Sequence, residues 1–556
     1  MREQRASENL VRVAFWIIGT ILGGLLAYLT RYYLNTDGLI YLEIGDAVRR
    51  GDWGALVNHQ WSPAYSVLMG FAQQLLDSHP CDELASLKIV NFLAFLFAMG
   101  MCDVFLASLR ASVSDESGGS ADPAPFRLVS LVIYCAFLVA ALIWIRVRLV
   151  SPDMLMLGYL LLFVSLILRI KTNPLGYTNF VGLGCVLGLA YLTKTYIFVY
   201  SGVILVLAGL AVGSLRKAIP RVGLALAIMI TISLPLIVSL SRDLGRFTYG
   251  EAGNYNYALF VASQGEPVNP PAQLTTKPAV LLFEETPHSC FSPGADIAKQ
   301  SEGKRPRFDA TAQVKAVERN LLIMVADSPW FFLTLILWNL LQLKWARPRL
   351  GSFLPLSESL MLLSASVSGI LLFLLVLVEM RYIAPFLFLG VGGLALIWRY
   401  RTLDARGSFL RDCTYYALCI VFMSVTAWSA IDQALRATRP SGSKQSYEAV
   451  LQEDKAMANY IRSQKSLIGA RGAIVESHSM SIYWARLAGV KIVAEIPSGR
   501  DYLEATPQDR ETAKKKLREH SVEFLAARGR EFHTLASEGW TKVPSTSDYY
   551  FLFTGD

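Results

Sequence analysis

Long apolar runs separated by short polar breaks fill most of the chain. Eleven runs have the length and composition of membrane spans: 11–31, 86–109, 128–146, 153–170, 178–193, 195–213, 222–241, 328–344, 355–379, 382–398 and 413–431. The stretch 178–213 is divided at Thr193-Lys194, because reading it as one span would invert everything after it. With the N-terminus inside, the inner loops carry Arg2, Arg5 and Arg12, then Arg110 and Arg127, Lys171, Arg216 and Lys217, Arg347 and Arg349, and Arg399 to Arg411. This asymmetry sets the orientation.

Three polar segments then lie outside: 32–85, 242–327 and 432–556. The first holds Ala64 to Leu76, apolar but too short to span, which predicts a helix lying along the interface. In the last segment the pattern changes period. It predicts helices at 446–465, 479–488 and 507–519 and strands at 472–476, 490–494 and 522–526, a small α/β domain with a mainly parallel sheet. The expected fold is an α-helical polytopic membrane protein with a transmembrane domain at 1–431 and an extracytoplasmic α/β domain at 432–556.

Composition agrees with the pattern: 53% of residues are apolar and only 17% charged. The net charge of +8 is spread over the loops, with no basic run of the kind that tracks nucleic acid. The first run is longer than a signal-peptide core and lacks a small-residue cleavage site, so it reads as an uncleaved span. There is no CxxC and no Cys/His pair at metal spacing; Cys81 and Cys290 both fall in outer segments, where they could pair.

Charge at the outer edge carries the candidate chemistry. Asp37 follows the first span, and a carboxylate there is costly unless paired or used. Asp153 opens the fourth span after Ser151-Pro152; helix-start geometry accounts for it equally well until it is paired with Asp37 on the same face. Arg31, Arg146, Arg148, Lys194, Arg242, Arg246 and Arg381 break the positive-inside pattern. Each alone reads as a snorkelling side chain, but several on one face suit a phosphate-bearing lipid. His59 could bind a metal or a sugar hydroxyl, or sit solvated in its loop. Gly182, Gly184 and Gly188 read as close helix packing, and Tyr249, Tyr255 and Tyr257 as sugar-stacking or interfacial rings.

These residues fall into motifs. Asp37-Gly-Leu-Ile-Tyr41 is followed by Gly51-Asp52-Trp53 and Ser62-Pro63-Ala64-Tyr65. Ser151-Pro152-Asp153, Gly188 through Lys194, and Arg381-Tyr382-Ile383-Ala384-Pro385 come later. The set resembles the GT-C glycosyltransferases, multi-span enzymes that use polyprenyl-phosphate sugars, and is most similar to the bacterial branch of lipid A aminoarabinose transferases and protein O-mannosyltransferases. Gly38 stands where several branches carry an acidic residue, and Trp61-Ser62 where the aminoarabinose enzymes carry an acidic-basic pair. Sugar and metal are therefore left open by the resemblance.

The resemblance implies inverting transfer of a hexose or pentose from a polyprenyl-phosphate donor to a hydroxyl of a lipid, glycan or protein. Asp37 would be the general base and Asp153 would orient the acceptor or a basic partner. Lys194, Arg381 and Arg148 would hold the donor phosphate, and Tyr41, His59, Tyr65 and Tyr382 would contact substrate. Should a divalent metal ion take part, Asp37 and His59 are its ligands. The implied setting is a bacterial inner membrane with the site on the periplasmic or extracellular side. A lipid or solute transporter or flippase, or a glycan ligase or polymerase, are the alternatives. The absence of an internal repeat and the edge position of the carboxylates favour the enzyme over the transporter.

Overall fold

Eleven helices occupy the positions of the eleven apolar runs. The structure, a computed structural model, describes residues 2–76, 83–116, 123–262, 271–295, 308–345, 356–399, 405–438, 446–464, 467, 469–476 and 481–555. Helix α1 (Arg2–Leu29) is followed by two shorter helices, α2 (Thr36–Arg49) and α3 (Pro63–Leu75). Then come α4 (Glu83–Glu116), α5 (Pro123–Leu138), α6 (Asp153–Thr172), α7 (Thr178–Thr193), α8 (Ile197–Ala211) and α9 (Leu215–Asp243). The second half holds the short α10 (Ala252–Tyr257) and α11 (Ser292–Ala295), then α12 (Ala310–Asp327), α13 (Pro329–Trp345), α14 (Leu356–Leu374), α15 (Met380–Arg399) and α16 (Ala405–Thr438).

Among the described residues, eight helices are long and apolar enough to cross a membrane, and α12 with α13 make a ninth candidate bent by 86°. Helices α7 and α8 are shorter, with 16 and 15 residues. They part at Lys194, where the sequence divides them. Helix α3 covers the short apolar stretch of segment 32–85, with Leu68, Phe71 and Leu75 exposed.

Close approaches fix the helices that carry Asp37 and Lys194. A Cβ on Gly45 would lie 2.6 Å from the Ser66 carbonyl, so α2 and α3 cross with their backbones touching. Gly184 and Gly188 play the same part between α7 and α9: a Cβ on Gly184 would lie 2.5 Å from the Ala225 carbonyl. The larger of two apolar clusters runs through the bundle and into the contact with the last domain, including Phe95, Phe137, Leu161 and Phe388, and the second, with Val280, Val493 and Leu525, lies at the sheet.

The soluble part is wider than its sequence pattern. Its strands are β1 (Ala272–Thr276), β2 (Ala279–Leu282), β3 (Arg471–Val475), β4 (Lys491–Ile496), β5 (Phe524–Arg528), β6 (Thr541–Lys542) and β7 (Tyr549–Phe553). They form one sheet in the order β1-β2-β4-β3-β5-β7-β6. The centre, β4-β3-β5, is parallel as expected, and both flanks are antiparallel. The hairpin β1-β2 belongs to the long segment 242–327, so that segment extends the C-terminal sheet. Helices α17 (Tyr447–Ser463), α18 (Tyr483–Ala488), α19 (Gly499–Glu504) and α20 (Pro507–Glu519) pack around it. Residues 477–480, where the sequence predicts the start of a helix, lie outside the described residues.

A buried polar seam joins this domain to the bundle. The Arg486 guanidinium donates twice to Glu83, at 3.0 and 2.9 Å, and lies 3.5 Å from Asp46 of α2. Tyr483 donates its hydroxyl to the same Glu83 at 2.7 Å. On α2, Glu43 accepts from the Ser289 hydroxyl and the Cys290 backbone. Burial pushes the Glu43 carboxyl up, against the lowering effect of those bonds.

Candidate active site

Four helix ends meet at one end of the bundle. Asp37 lies in the first turn of α2, Asp153 is the first residue of α6, Lys194 caps the end of α7, and Arg381 and Tyr382 open α15. Helix dipoles favour this arrangement in part, since a carboxylate gains at a helix start and an ammonium at a helix end.

The charges interlock. The Lys194 ammonium donates to Asp153 Oδ1 at 2.5 Å, and the Ser151 hydroxyl to Oδ2 at 2.9 Å. Arg381 donates through Nη2 to Asp37 at 3.2 Å and through Nε to Glu379 at 2.6 Å, and its Nε stands 3.8 Å from Asp153. Tyr382 accepts from Arg381 at 3.1 Å, and its ring faces the Lys194 ammonium at 4.2 Å. Three carboxylates thus share two cations. Asp153 is almost fully buried, whereas a third of the Asp37 side chain is exposed.

Two cavities open on this cluster. One of about 400 Å³ is lined by Asp37, Tyr41, Asp153, Lys194, Arg381 and Tyr382, with an apolar wall from Val199, Phe373, Val376 and Leu377. The other, about 560 Å³, is lined by Asn35, Asp37, Trp144, Arg146, Asp327, Glu379 and Arg381. Asp37 and Arg381 border both. Burial, aided by the Asp37 and Asp153 carboxylates, raises the Tyr41 phenol well above its ordinary range, so its hydroxyl stays a donor.

Of the residues singled out in the sequence, Asp37, Asp153, Lys194, Arg381, Tyr41 and Tyr382 come together around the first cavity. Arg148, Tyr65 and His59 do not line it. The Arg148 guanidinium donates to the Tyr447 hydroxyl at 2.8 Å and faces the Tyr33 ring, joining the bundle to α17. Tyr65 is fully buried behind Tyr41, edge-on to its ring at 5.1 Å, and donates to Asn91. His59 pairs with Asp243 at 2.7 Å. Tyr249 and Tyr257 line the cavity, Tyr249 stacked on Phe198 at 4.8 Å.

Other contributors escaped the sequence reading. Glu379 holds Arg381, and Gln60 and Asn254 line the cavity. Lys88 and Asn91, inside α4, shape the turn that presents Asp153: Lys88 donates to the Arg148 carbonyl, and the Asn91 amide to those of Val147 and Leu149. Asn35 completes the clamp by accepting from the Val150 backbone at 2.9 Å. A lysine and an asparagine interrupting an apolar run were the available signal.

A divalent ion finds poor support in this donor set. Among the described residues no group of three or more His, Cys, Asp or Glu side chains gathers as a metal site. Asp37 already faces Arg381, and His59 faces Asp243. Cys290 is a free thiol, and Cys81 lies outside the described residues.

No family model matches the chain, and no curated protein matches it either. Solved structures do. ArnT from Cupriavidus metallidurans in the apo state aligns with 98% of each chain at 13% identity and a TM-score of 0.54. The same protein bound to undecaprenyl phosphate gives 0.55, covering 98% of this chain and 97% of that one at 13% identity. An oligosaccharyltransferase from Archaeoglobus fulgidus, in complex with Zn and sulfate, aligns over 92% of this chain and 68% of its own at 12% identity and a TM-score of 0.50. Over nearly its whole length, C-terminal sheet included, the chain thus shares the fold of these solved structures.

Proposed function

We propose that the protein is an inverting glycosyltransferase that moves a sugar from a polyprenyl-phosphate donor to an acceptor hydroxyl at the outer membrane face. The observation that carries this is the position of Asp37 and Arg381 on the border of two cavities. A transferase with two substrates needs its base between them, within reach of one proton and one leaving group.

The cavity with the apolar wall suits the donor. Its prenyl chain would run along Val199, Phe373 and Val376, with the phosphate at Lys194 and Arg381. The acceptor would enter from the cavity lined by Asn35, Arg146 and Glu379. Its hydroxyl oxygen attacks the anomeric carbon as Asp37 takes the proton. The bond from that carbon to the phosphate oxygen breaks, and polyprenyl phosphate leaves with the electron pair. One displacement inverts the anomeric centre. Lys194 and Arg381 oppose the charge growing on the phosphate, and the phosphate in turn draws Arg381 from Asp37. Asp153 keeps Lys194 in place. The likeness to a protein bound to undecaprenyl phosphate supports the donor class.

On this reading the protein sits in a bacterial inner membrane, with the site and residues 432–556 on the outer side as an acceptor-handling unit. The test is sugar release from a panel of radiolabelled polyprenyl-phosphate sugars by purified protein, wild type beside Asp37→Asn. Turnover lost in the variant supports the transferase and names the donor. Saturable lipid binding without turnover, unchanged by the substitution, would favour a transporter or flippase; a glycan-only acceptor would favour a ligase or polymerase.

A further inference from the structure

The cavity with the apolar wall has a charged end and a neutral one. Among the described residues its lining carboxylates are Asp37 and Asp153, and its lining cations are Lys194 and Arg381. They pair off: Asp37 accepts from Arg381 at 3.2 Å, and Asp153 from Lys194 at 2.5 Å. The rest of the polar lining is uncharged. Gln60, Trp61 and Ser62 come from the segment that leads into α3, and Asn254, Asn256 and Tyr257 from α10.

These two segments are fixed to each other and to the charged end. Asn58 Oδ1 accepts from the backbone N–H groups of Gln60 and Trp61 at 2.9 and 2.8 Å, closing the turn that presents them. The His59 carbonyl accepts from the Glu251 backbone at 3.0 Å, and the Glu251 carboxylate holds the Asn254 amide at 3.0 Å. Tyr41, one helical turn beyond Asp37 and so on the same face of α2, meets the Trp61 ring edge-on at 5.3 Å. Only 8% of Trp61 is exposed, yet its indole Nε1 has no hydrogen-bond partner among the described residues, and neither has the buried Gln60 Oε1. Buried polar groups are ordinarily paired. The indole donates and the amide oxygen accepts, so a hydroxyl, which does both, can satisfy either.

The lining identifies the kind of sugar. With the donor phosphate at Lys194 and Arg381 and the anomeric carbon at Asp37, the far side of the ring meets Trp61 and Gln60. An ammonium there would need a carboxylate, and both lining carboxylates stand at the reacting end. A sugar carboxylate would need a cation, and both cations serve the phosphate. Burying either charge without a partner is costly. We propose that the donor sugar is uncharged, and that Trp61 Nε1 and Gln60 Oε1 select it by hydrogen bonds to its hydroxyls, against amino and uronic sugars. The inference rests on the donor placement in the transferase reading and adds the class of sugar to it.

The experiment is equilibrium binding to the purified full-length protein. The probes are undecaprenyl phosphate, bare or carrying glucose, mannose, galactose or arabinose, and the amino counterpart of each sugar and the uronic counterpart of each hexose. The tightest binder should carry an uncharged sugar and hold about tenfold tighter than the bare lipid, while the amino and uronic counterparts should bind no tighter than the bare lipid. Trp61→Phe, which keeps a ring and removes the N–H, should weaken the preferred lipid about tenfold and leave the bare one unchanged, which also guards against a folding defect. Gln60→Glu should move the ratio of amino-sugar to uncharged-sugar binding about tenfold toward the amino sugar. An amino or uronic lipid as the tightest binder, or an equal weakening of the bare lipid by Trp61→Phe, would overturn the proposal. Sugar-dependent binding with no transfer to any acceptor would instead overturn the transferase reading and leave the sugar selection standing.

Discussion

The two ends of the helical bundle handle charge in opposite ways. At one end Asp37, Asp153 and Glu379 interlock with Arg381 and Lys194, and each cation has a carboxylate partner within hydrogen-bond reach. At the other, Asp103 of α4 takes its bonds from fixed donors, the Arg12 guanidinium and Trp16 indole of α1 and the Tyr134 hydroxyl of α5. In the first cluster the cations are shared, so a ligand must exchange partners with it. An incoming phosphate takes cations from carboxylates, and that same exchange leaves a carboxylate ready for a proton. At Asp103 the bonds instead hold three helices together.

The sharpest way to break this contrast is Asp37→Asn. It keeps the shape and removes the base, so turnover should fall by about 10²- to 10⁴-fold with an unchanged melting temperature. Steady-state sugar transfer beside a thermal melt checks both parts. Equal activity would leave the Asp37 end without a chemical role.

Next in size are substitutions that remove one cation, the first of them at the Asp37 end. Lys194→Met leaves the buried Asp153 without its closest positive partner. Breaking a buried pair from one side costs about 3–5 kcal/mol, which should appear as a large drop in thermal stability in detergent. Arg169→Gln, at the other end, removes a bond to the neutral Ser108 hydroxyl at 3.1 Å and should cost less, about 0.5–1.5 kcal/mol. Equal losses from the two substitutions would erase the distinction.

A carboxylate away from both ends sharpens it. Asp454, on α17 of the soluble domain, is buried and receives a bond from the Ser481 hydroxyl at 2.8 Å, while Oδ1 has no partner. Burial and the neighbouring Glu453 push its pKa up to about 7, against Ser481 and Arg528. The unfolded chain ionises near the ordinary carboxylate value of about 4. The folded state therefore binds the extra proton between those values, and stability contributed here falls as pH rises from about 4 to about 7. Asp454→Asn should flatten that slope and stabilise the domain above pH 7 by up to about 4 kcal/mol, measured as melting temperature against pH. An unchanged slope would show Asp454 has an ionic partner after all.

Much of the bundle and most of the site could be read from the chain because the informative residues end apolar runs. Asp37, Asp153, Lys194 and Arg381 each interrupt hydropathy at one predicted face, and folding brings those four breaks together. What could not be read was direction. Arg148 lies only five residues before Asp153, yet it points to Tyr447, and Tyr65 supports Tyr41 from behind. A linear spacing gives position along the membrane normal but not rotation about a helix axis. The hairpin β1-β2 was hidden for another reason: its partner β4 is distant in the chain, and pairing across such a gap has no local signature. The last strand, Tyr549–Phe553, is an apolar run without alternation and so carries no strand period in the sequence, although it sits beside β5 inside the sheet.

The pairing of β2 with β4 also bears on how the protein is made. Strand β2 is synthesised before α13, α14, α15 and α16, and β4 after them. The hairpin emerges with an open edge and waits until the last spans are inserted before that edge is covered. Until then an unpaired strand faces other nascent chains. The final membrane helices therefore also set the time at which the sheet can close, and a chain stalled among them would present that edge to the quality-control machinery.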